Sequence, residues 1–415
     1  MIPDKPSARS NQVTPGPITR LIVALTAAVL VLSGCGTILP RNAVPEELRS
    51  AADIPGIVRA RFWGDAIPPN YEQGIAELSD EQLKYEFPAL YDRPHNYLAI
   101  SGGGAQGAYG AGILVGWTEA GDRPEFQMVS GVSTGALIAP FAFLGPDYDE
   151  VLREVYTTTS TPDILIPRSW FSVPFSDAAA QSTPLLELIR RHVDDDVMAA
   201  IAKEHRKGRL LFIGTTDLDQ MRSRIWNIGS IASSGQRGAK ELVHKIMLAS
   251  ASIPGAFPPV RIPVEAGGQS YDELHVDGGT TTQVFVYPSA LDWRKGLERL
   301  KAEGRATTWV IRNAKLTPDS EVVEQKLVPI AARSISSLIR TQGIGDLYLI
   351  FMLSLRDGVD YNLAHIPESF DRKSKEPFDK DYMNQLFELG YSLGKGGYPW
   401  SKTPPGWLRR TTESR

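Results

Sequence analysis

Two consecutive strand–glycine loop–helix units between positions 95 and 145 constrain the fold of this chain more than any other feature. In the first unit, NYLAIS is followed by GGGAQG and then by AYGAGILVGWTEAG, a predicted helix that ends at Gly121. In the second, FQMVS is followed by GVSTG and then by an apolar helix with a kink at Pro140 and an end at Gly145. Strands that alternate with helices in this way predict an α/β fold with a mainly parallel sheet.

The same alternation continues toward the C-terminus. Further strands are predicted at RLLFIGTT, SRIWNIG, ELHVDGG and TTWVIRN, and further helices at TPLLELIRRHV and ELVHKIMLASAS. We therefore expect a central sheet with helices on both faces and a helical C-terminal extension. The segment from Leu327 to Leu355 is predicted to form one or two long helices; its apolar end could touch a bilayer, but packing in the core is favoured.

The composition is that of a globular protein and excludes few functions. The 415 residues are 42% hydrophobic and 22% charged, which suits one elaborate α/β domain or two to three separate domains. The formal net charge of −4 gives no reason to expect nucleic acid as a partner.

The N-terminus has the pattern of a secretory signal. Basic residues precede an uncharged apolar stretch, Leu21 to Leu32, that would span only about 18 Å as a helix, short of a bilayer core of about 30 Å. This pattern is typical of a secretory signal and not of a membrane span. The stretch ends in LSGC, which resembles the lipobox of bacterial lipoproteins, and the resemblance implies cleavage before Cys35.

Cys35 is the single cysteine of the chain and so cannot form an internal disulfide. We expect its thiol to carry diacylglycerol, which would make the chain a lipid-anchored protein of the bacterial cell envelope. Gly36 stands where an aspartate would favour retention in the inner membrane, so the outer membrane is slightly favoured.

The glycine loop admits three interpretations, because a glycine-rich turn before a helix presents backbone N–H groups to anions of several kinds. A P-loop needs Gly-Lys-Ser/Thr where this chain has Ala105, Gln106 and Gly107. A dinucleotide loop matches G-x-G-x-x-G formally, but it needs an acidic residue at the end of the second strand, which here ends in Ser130. The third interpretation is a set of N–H donors for an oxyanion.

The segment GVSTG supports this third interpretation. A strand, G-x-S-x-G and a helix form the context of a nucleophile elbow, which would project the Ser133 hydroxyl from the turn. Both loops follow strands that we expect to be neighbours, at the edge where sites of open α/β sheets form. The sequence therefore predicts that the glycine loop stabilises the oxyanion formed when Ser133 attacks a carbonyl carbon.

A serine nucleophile needs a general base, and the residues alone leave three candidates. Asp277 ends the predicted strand in ELHVDGG and precedes two glycines, and His275 lies two positions earlier on the same face of that strand. His365, in LAHIPESF, is the last histidine, as the residue order of α/β-hydrolases would require. An aspartate base and a histidine-based triad both remain open at this point.

The motifs GGGAQG, GVSTG and DGG, with ASASIPGAFPPV between the last two, resemble the patatin-like phospholipases over roughly residues 96–290. The resemblance implies a patatin-like three-layer sandwich and a Ser–Asp dyad that works without histidine. It assigns Ser133 as nucleophile, Asp277 as general base, and Gly102, Gly103 and Gly104 as the oxyanion hole. Members of the family often carry Arg or Lys where this chain has Gln106, which puts its preference for anionic headgroups in question.

The resemblance also suggests a division of the chain and a function. We predict a signal peptide (1–34), a tether and N-terminal extension (35–95), a patatin-like catalytic domain (96–290) and a C-terminal part that completes or extends it (291–415). The predicted function is a phospholipase A-like or lipid esterase activity on phospholipid or other lipid esters, with no cofactor and no metal. The alternative is a catalytically idle lipoprotein that binds lipid or a partner in the same cleft.

Overall fold

The structure, a computed structural model, describes residues 41–68, 75–169, 176–318 and 320–407. The predicted signal peptide, residues 1–34, and the predicted lipidation site Cys35 lie outside the described residues. Contacts within the described part of the chain join the residues from Asn42 onward into one unit.

A mixed, mostly parallel sheet lies at the centre of the described residues and confirms the predicted fold class. Its strands are β1 (Arg61–Trp63), β2 (Asn96–Ile100), β3 (Met128–Val132), β6 (Leu210–Asp217), β7 (Arg222–Asn227), β8 (Val260–Ala266), β9 (Gln269–Asp277), β10 (Thr307–Arg312) and β11 (Asp360–His365), while β4 (Ile166–Pro167) and β5 (Ala180–Gln181) form a separate ribbon. The main order is β1-β7-β6-β3-β2-β10-β11, with β9 paired to β6 and β8 to β9. Strands β6, β3, β2, β10 and β11 are parallel, and the others join antiparallel.

Helices cover both faces of this sheet, as the alternating pattern predicts. They are α1 (Asp80–Glu86), α2 (Gly107–Ala120), α3 (Thr134–Leu144), α4 (Asp149–Thr158), α5 (Thr161–Ile164), α6 (Thr183–His192), α7 (Asp195–His205), α8 (Ile228–Ser233), α9 (Ala239–Ser250), α10 (Trp293–Arg299), α11 (Leu327–Asp357) and α12 (Lys380–Lys395). In β2, Leu98 and Ile100 enter the core under α2, α3, α9 and α12, whereas Tyr97 and Ala99 enter the core under α10 and α11. This alternation is expected of a strand that is buried on both faces.

The described part of the predicted tether lies against the sheet. Strand β1 pairs antiparallel with β7. Upstream of it, Ala43 forms an isolated bridge with Asp272 of β9, and Asp53 forms one with Glu265 of β8. Residues 42–63 therefore contact the strands that lead to Asp277.

Glycines bring α12 into backbone contact with α2, the helix that follows the glycine loop. A Cβ atom added at Gly112 or Gly116 on α2, or at Gly390 or Gly394 on α12, would overlap a backbone carbonyl oxygen of the other helix. Interhelical distances this short are possible only where side chains are absent from the contact. The C-terminal helix thus fixes the position of the helix that carries the glycine loop.

Candidate active site

Strand β6 joins the two halves of the predicted dyad. Val132 at the end of β3 pairs with Gly214, and Asp277 at the end of β9 pairs with the next residue, Thr215. Because β7 occupies the other edge of β6 over these positions, β3 and β9 share one edge, end to end. This register places Ser133, the residue after β3, next to Asp277.

Ser133 occupies a strained turn of the kind that a nucleophile elbow requires. Its φ of 57° lies in the left-handed region, which non-glycine residues rarely adopt outside functional turns. The flanking glycines permit the turn, since a Cβ at Gly131 would overlap the Gly135 carbonyl and one at Gly135 would overlap the Ile100 carbonyl. The Ser133 N–H donates to the Ser250 hydroxyl at 2.9 Å. Ser133 itself is the N-cap residue of α3, so its side chain lies at the N-terminus of that helix.

Asp277 is buried and lies next to Ser133. Its Oδ1 accepts a hydrogen bond from the Gly279 N–H at 2.7 Å. Burial raises the pKa of Asp277 to about 7, although its interactions with the Ser133 hydroxyl and the Gly279 N–H act in the opposite direction. A carboxylate with a pKa this high is a far stronger base than an exposed aspartate and is suited to general-base chemistry at neutral pH.

The raised pKa predicts the pH dependence of any hydrolysis that uses this base. Asp277 must be ionised to accept the Ser133 proton, so kcat/KM should fall about tenfold per pH unit below about pH 7 and level off above it. Initial rates on a soluble ester between pH 5 and pH 9 test this. A profile that stays flat down to pH 5 would mean that Asp277 is not the base.

The glycine loop lies against the nucleophile. A Cβ at Gly102 would be 3.7 Å from the Ser133 Oγ. The Gly102 N–H donates to the Gln283 carbonyl at 3.3 Å, whereas those of Gly103 and Gly104 have no acceptor among the described residues. Gly103 and Gly104 are therefore the better-placed donors for an oxyanion in this structure.

A buried polar network that the sequence analysis missed fixes this loop. The Asn313 side-chain amide donates to the Ser101 carbonyl at 2.9 Å, and the Asn313 backbone N–H donates to the Ser101 hydroxyl at 2.9 Å. The Ser101 hydroxyl donates in turn to the Gly102 carbonyl at 2.7 Å, and Asn313 Oδ1 accepts from the Gly110 N–H at 3.1 Å. A usable signal was present, since Asn313 is the last residue of the predicted strand TTWVIRN, at the edge of the sheet where sites form.

Replacing Asn313 should show whether this residue positions the glycine loop for catalysis as well as stabilising the fold. Asn313→Ala removes two buried hydrogen bonds, so we expect the free energy of unfolding to fall by about 2 kcal/mol and kcat to fall about tenfold to a hundredfold. Asn362→Ala is the matched control, because Asn362 is also buried and its amide donates to the Thr308 carbonyl. Urea denaturation and kcat measured on both variants test this; equal kcat losses would contradict a role in positioning the loop.

Neither candidate histidine hydrogen-bonds Ser133 in the described residues. His275 is fully buried, with Nδ1 3.0 Å from the Thr215 hydroxyl and Nε2 3.1 Å from the Glu273 carboxylate, so both ring nitrogens have partners. His365 ends β11, which lies three strands from β3, a separation of about 14 Å. Asp277 is therefore the base candidate that the geometry favours.

The fold also assembles a buried acidic group that the spacing in the sequence did not reveal. One ligand atom each of Asp217, Glu273 and His275 lie within 4.8 Å of one another. Arg61 pairs with Glu273, and Arg224 lies 3.5 Å from Glu273 and 3.8 Å from Asp217. Two guanidinium groups already neutralise these carboxylates, so the arrangement is better described as a buried ion-pair network than as a cation site.

Gln106 contacts a helix rather than the dyad. Its side-chain amide donates to the Tyr382 hydroxyl of α12 at 3.2 Å. Gln106 thus joins the glycine loop to the C-terminal part of the described chain.

Comparisons with known proteins agree with this geometry. The family model of the patatin-like phospholipases matches residues 98–288, a range that includes the glycine loop, Ser133 and Asp277. The crystal structure of VipD from Legionella pneumophila is similar at a TM-score of 0.32 and 13% identity, over 74% of this chain and 67% of that chain, which is too distant to add to the family match. No curated protein matches the chain significantly. Residues 98–288 of this chain therefore form a patatin-like phospholipase domain.

Proposed function

We propose that this protein is a serine carboxylic-ester hydrolase that cleaves acyl chains from phospholipids or related lipid esters. The patatin-like phospholipase family supports lipid acyl hydrolysis in general. The observation that carries the finer proposal is the Ser133 hydroxyl on a strained elbow, placed by the sheet register next to a buried carboxylate with a pKa of about 7.

In the proposed mechanism, Ser133 Oγ attacks the ester carbonyl carbon while Asp277 takes the hydroxyl proton. The oxyanion of the tetrahedral intermediate accepts hydrogen bonds from the N–H groups of Gly103 and Gly104. Asp277 then gives its proton to the departing alcohol oxygen as the C–O bond breaks, leaving an acyl group on Ser133. Water attacks this acyl-enzyme with Asp277 again as the base, and the fatty acid is released as the free serine returns.

The hydrolysis test compares the purified wild-type chain with Ser133→Ala on mixed phospholipids and on fatty-acid esters. We expect fatty acid release from the wild type and a loss of at least a thousandfold in Ser133→Ala. Equal rates for the two proteins would reject the enzyme and favour a lipoprotein that only binds lipid or a partner.

We also propose that Cys35 anchors the enzyme to a membrane of the bacterial cell envelope. The support is LSGC directly after an apolar stretch too short to span a bilayer. Mass spectrometry of the native protein should find Cys35 as the first residue, modified with diacylglycerol, and Cys35→Ala should leave the precursor uncleaved. An unmodified Cys35 thiol in membrane-bound protein would contradict the anchor.

A further inference from the structure

Helix α11 exposes a row of large apolar side chains. Of the 15 large hydrophobic residues that are exposed in the described chain, seven lie on this helix, between 45% and 84% exposed. They are Leu327, Ile330, Ile335, Leu338, Leu349, Met352 and Leu355. Leu327, Leu338, Leu349 and Met352 share one side at helical spacing, opposite the buried Leu347 and Ile350. Apolar surface concentrated in this way marks an interaction site.

The first half of α11 extends past the edge of the sheet that holds the site. The helix ends at Asp357, just before the amino end of the parallel strand β11, while Asp346 lies level with the loop beside Gly102. Leu327–Gly345 therefore continues for roughly 28 Å beyond that level. All of the side chains described in 327–342 are exposed or half-exposed.

The charges of α11 suit an anionic surface. From Leu327 to Gly345 the helix carries Arg333 and Arg340 but no carboxylate. Its two acidic residues bond to the protein instead, Asp346 to the Gln283 N–H and Asp357 to the Tyr287 hydroxyl. Upstream, Glu321 lies 3.5 Å from Arg333 and neutralises part of this charge.

Residues Pro329–Asp357 are long and apolar enough to cross a membrane by length and composition alone. Crossing would require the C-terminal half to leave the sheet, where Leu347, Ile350 and Phe351 are buried. An interfacial helix, by contrast, keeps one face on the protein and places the other at the boundary between headgroups and acyl chains. Of these two arrangements, the packing of the C-terminal half of α11 fits the interfacial one.

Helix α11 also holds the loop 281–284, which lies between the glycine loop and the turn after Asp277. Asp346 Oδ2 accepts from the backbone N–H of Gln283 at 2.7 Å and of Val284 at 3.3 Å, and the Gln342 amide donates to the Thr281 carbonyl. Gln283 contacts both sides of the site, because its carbonyl accepts from the Gly102 N–H and its amide donates to the Gly279 carbonyl. The helix that carries the apolar surface is thus bonded directly to the active-site loops.

We propose that the exposed side of α11 docks on an anionic lipid surface and presents the active site to lipid substrates. The role of this docking rests on the proposed lipid hydrolysis, but the docking itself can be measured without catalysis. It does not require the anchor at Cys35, which holds the chain near a membrane without orienting it.

The direct test places an environment-sensitive fluorophore on this surface in the full chain. Cys35→Ala removes the single native cysteine, and Leu338→Cys then supplies one labelling site on α11. Val58→Cys is the matched control, because Val58 is 80% exposed and lies near the amino end of the parallel strands. Vesicles of phosphatidylcholine with phosphatidylglycerol should increase the emission of the label at 338 about twofold or more and leave that at 58 nearly unchanged.

No response at position 338 would overturn the proposal. A vesicle-independent response at 338 that grows with protein concentration would also overturn it, in favour of a second copy of the chain. As a second readout, Leu338→Glu with Leu349→Glu should slow hydrolysis of vesicle lipids at least tenfold and leave hydrolysis of a soluble short-chain ester unchanged. Loss on neither substrate would contradict docking, whereas a wild type inactive on both substrates would reject only the proposed function.

Discussion

Asp277→Asn is expected to lower kcat/KM by about ten-thousandfold, nearly as much as Ser133→Ala, in a protein that stays folded. The substitution preserves the shape of the buried side chain and removes its ability to accept the Ser133 proton. The two losses should not add in the double variant, because both residues act in the same step. Steady-state kinetics of the three variants on one soluble ester provide the measurement.

The histidine variants are the controls for this experiment. His275→Ala removes a buried ring that bonds Thr215 and Glu273 and should reduce stability, while His365→Ala should change little. Both should keep substantial activity per folded molecule. An active Asp277→Asn variant together with an inactive histidine variant would reject the dyad.

The Asp277→Asn substitution should stabilise the fold at high pH. The pKa of Asp277 is raised from its ordinary value near 4 to about 7 in the folded state, so ionisation is favoured more in the unfolded chain. In the wild type, neutral Asp277 makes its full contribution to the free energy of unfolding below about pH 4. This contribution is lost as the pH rises through about 7. Asn cannot ionise, so Asp277→Asn should raise the free energy of unfolding by up to about 4 kcal/mol at pH 8 and by less at pH 5.

Gly112→Ala is expected to lower the free energy of unfolding by about 3 kcal/mol and to reduce activity as well. The added methyl would overlap the carbonyl oxygen of Phe387, so α12 must move away from α2. Because α2 begins at Gly107, directly after the glycine loop, the displacement should reach the oxyanion donors. Urea denaturation followed by circular dichroism, with kcat measured on the folded fraction, tests both effects.

Gly345→Ala on α11 is the matched control for Gly112→Ala. A Cβ at Gly345 meets no atom within 4 Å, so alanine should be neutral or stabilise the helix by up to about 1 kcal/mol. A similar loss of stability in both variants would show that the contact between α2 and α12 does not require glycine.

The sequence predicted the elements that carry strong local signals. Strands β2, β3, β6, β7, β9 and β10 and helices α2, α3, α6 and α9 lie where apolar periodicity and terminal glycines indicated, and Leu327–Asp357 is a single helix. Strands β8 and β11 were not predicted: β8 contains Pro263 and alternates with exposed residues, and β11 is an edge strand with polar ends. Local patterns do not encode such pairings, which depend on the neighbouring strand.

The site was predictable only where motif and chemistry coincide. Ser133 stood out because it lies between Gly131 and Gly135, and Asp277 because two glycines follow it. A Cβ at Gly131, Gly135 or Gly278 would overlap a backbone carbonyl oxygen, so these glycines are needed for close backbone approach. The pKa of Asp277 and the roles of Asn313 and Gln283 arise from burial and from contacts over long sequence separations. Such contacts exist only in the folded chain and leave no periodic pattern in the sequence.

The most direct test of the dyad is covalent capture of the nucleophile with an alkyl fluorophosphonate. Attack by an activated serine forms an O–P bond and releases fluoride, and peptide mass spectrometry then locates the adduct. We predict one adduct, on Ser133, in the wild type and in His275→Ala, and labelling at least a thousandfold slower in Asp277→Asn. An adduct on another residue, or labelling of Asp277→Asn at the wild-type rate, would contradict the assignment of Ser133 and Asp277.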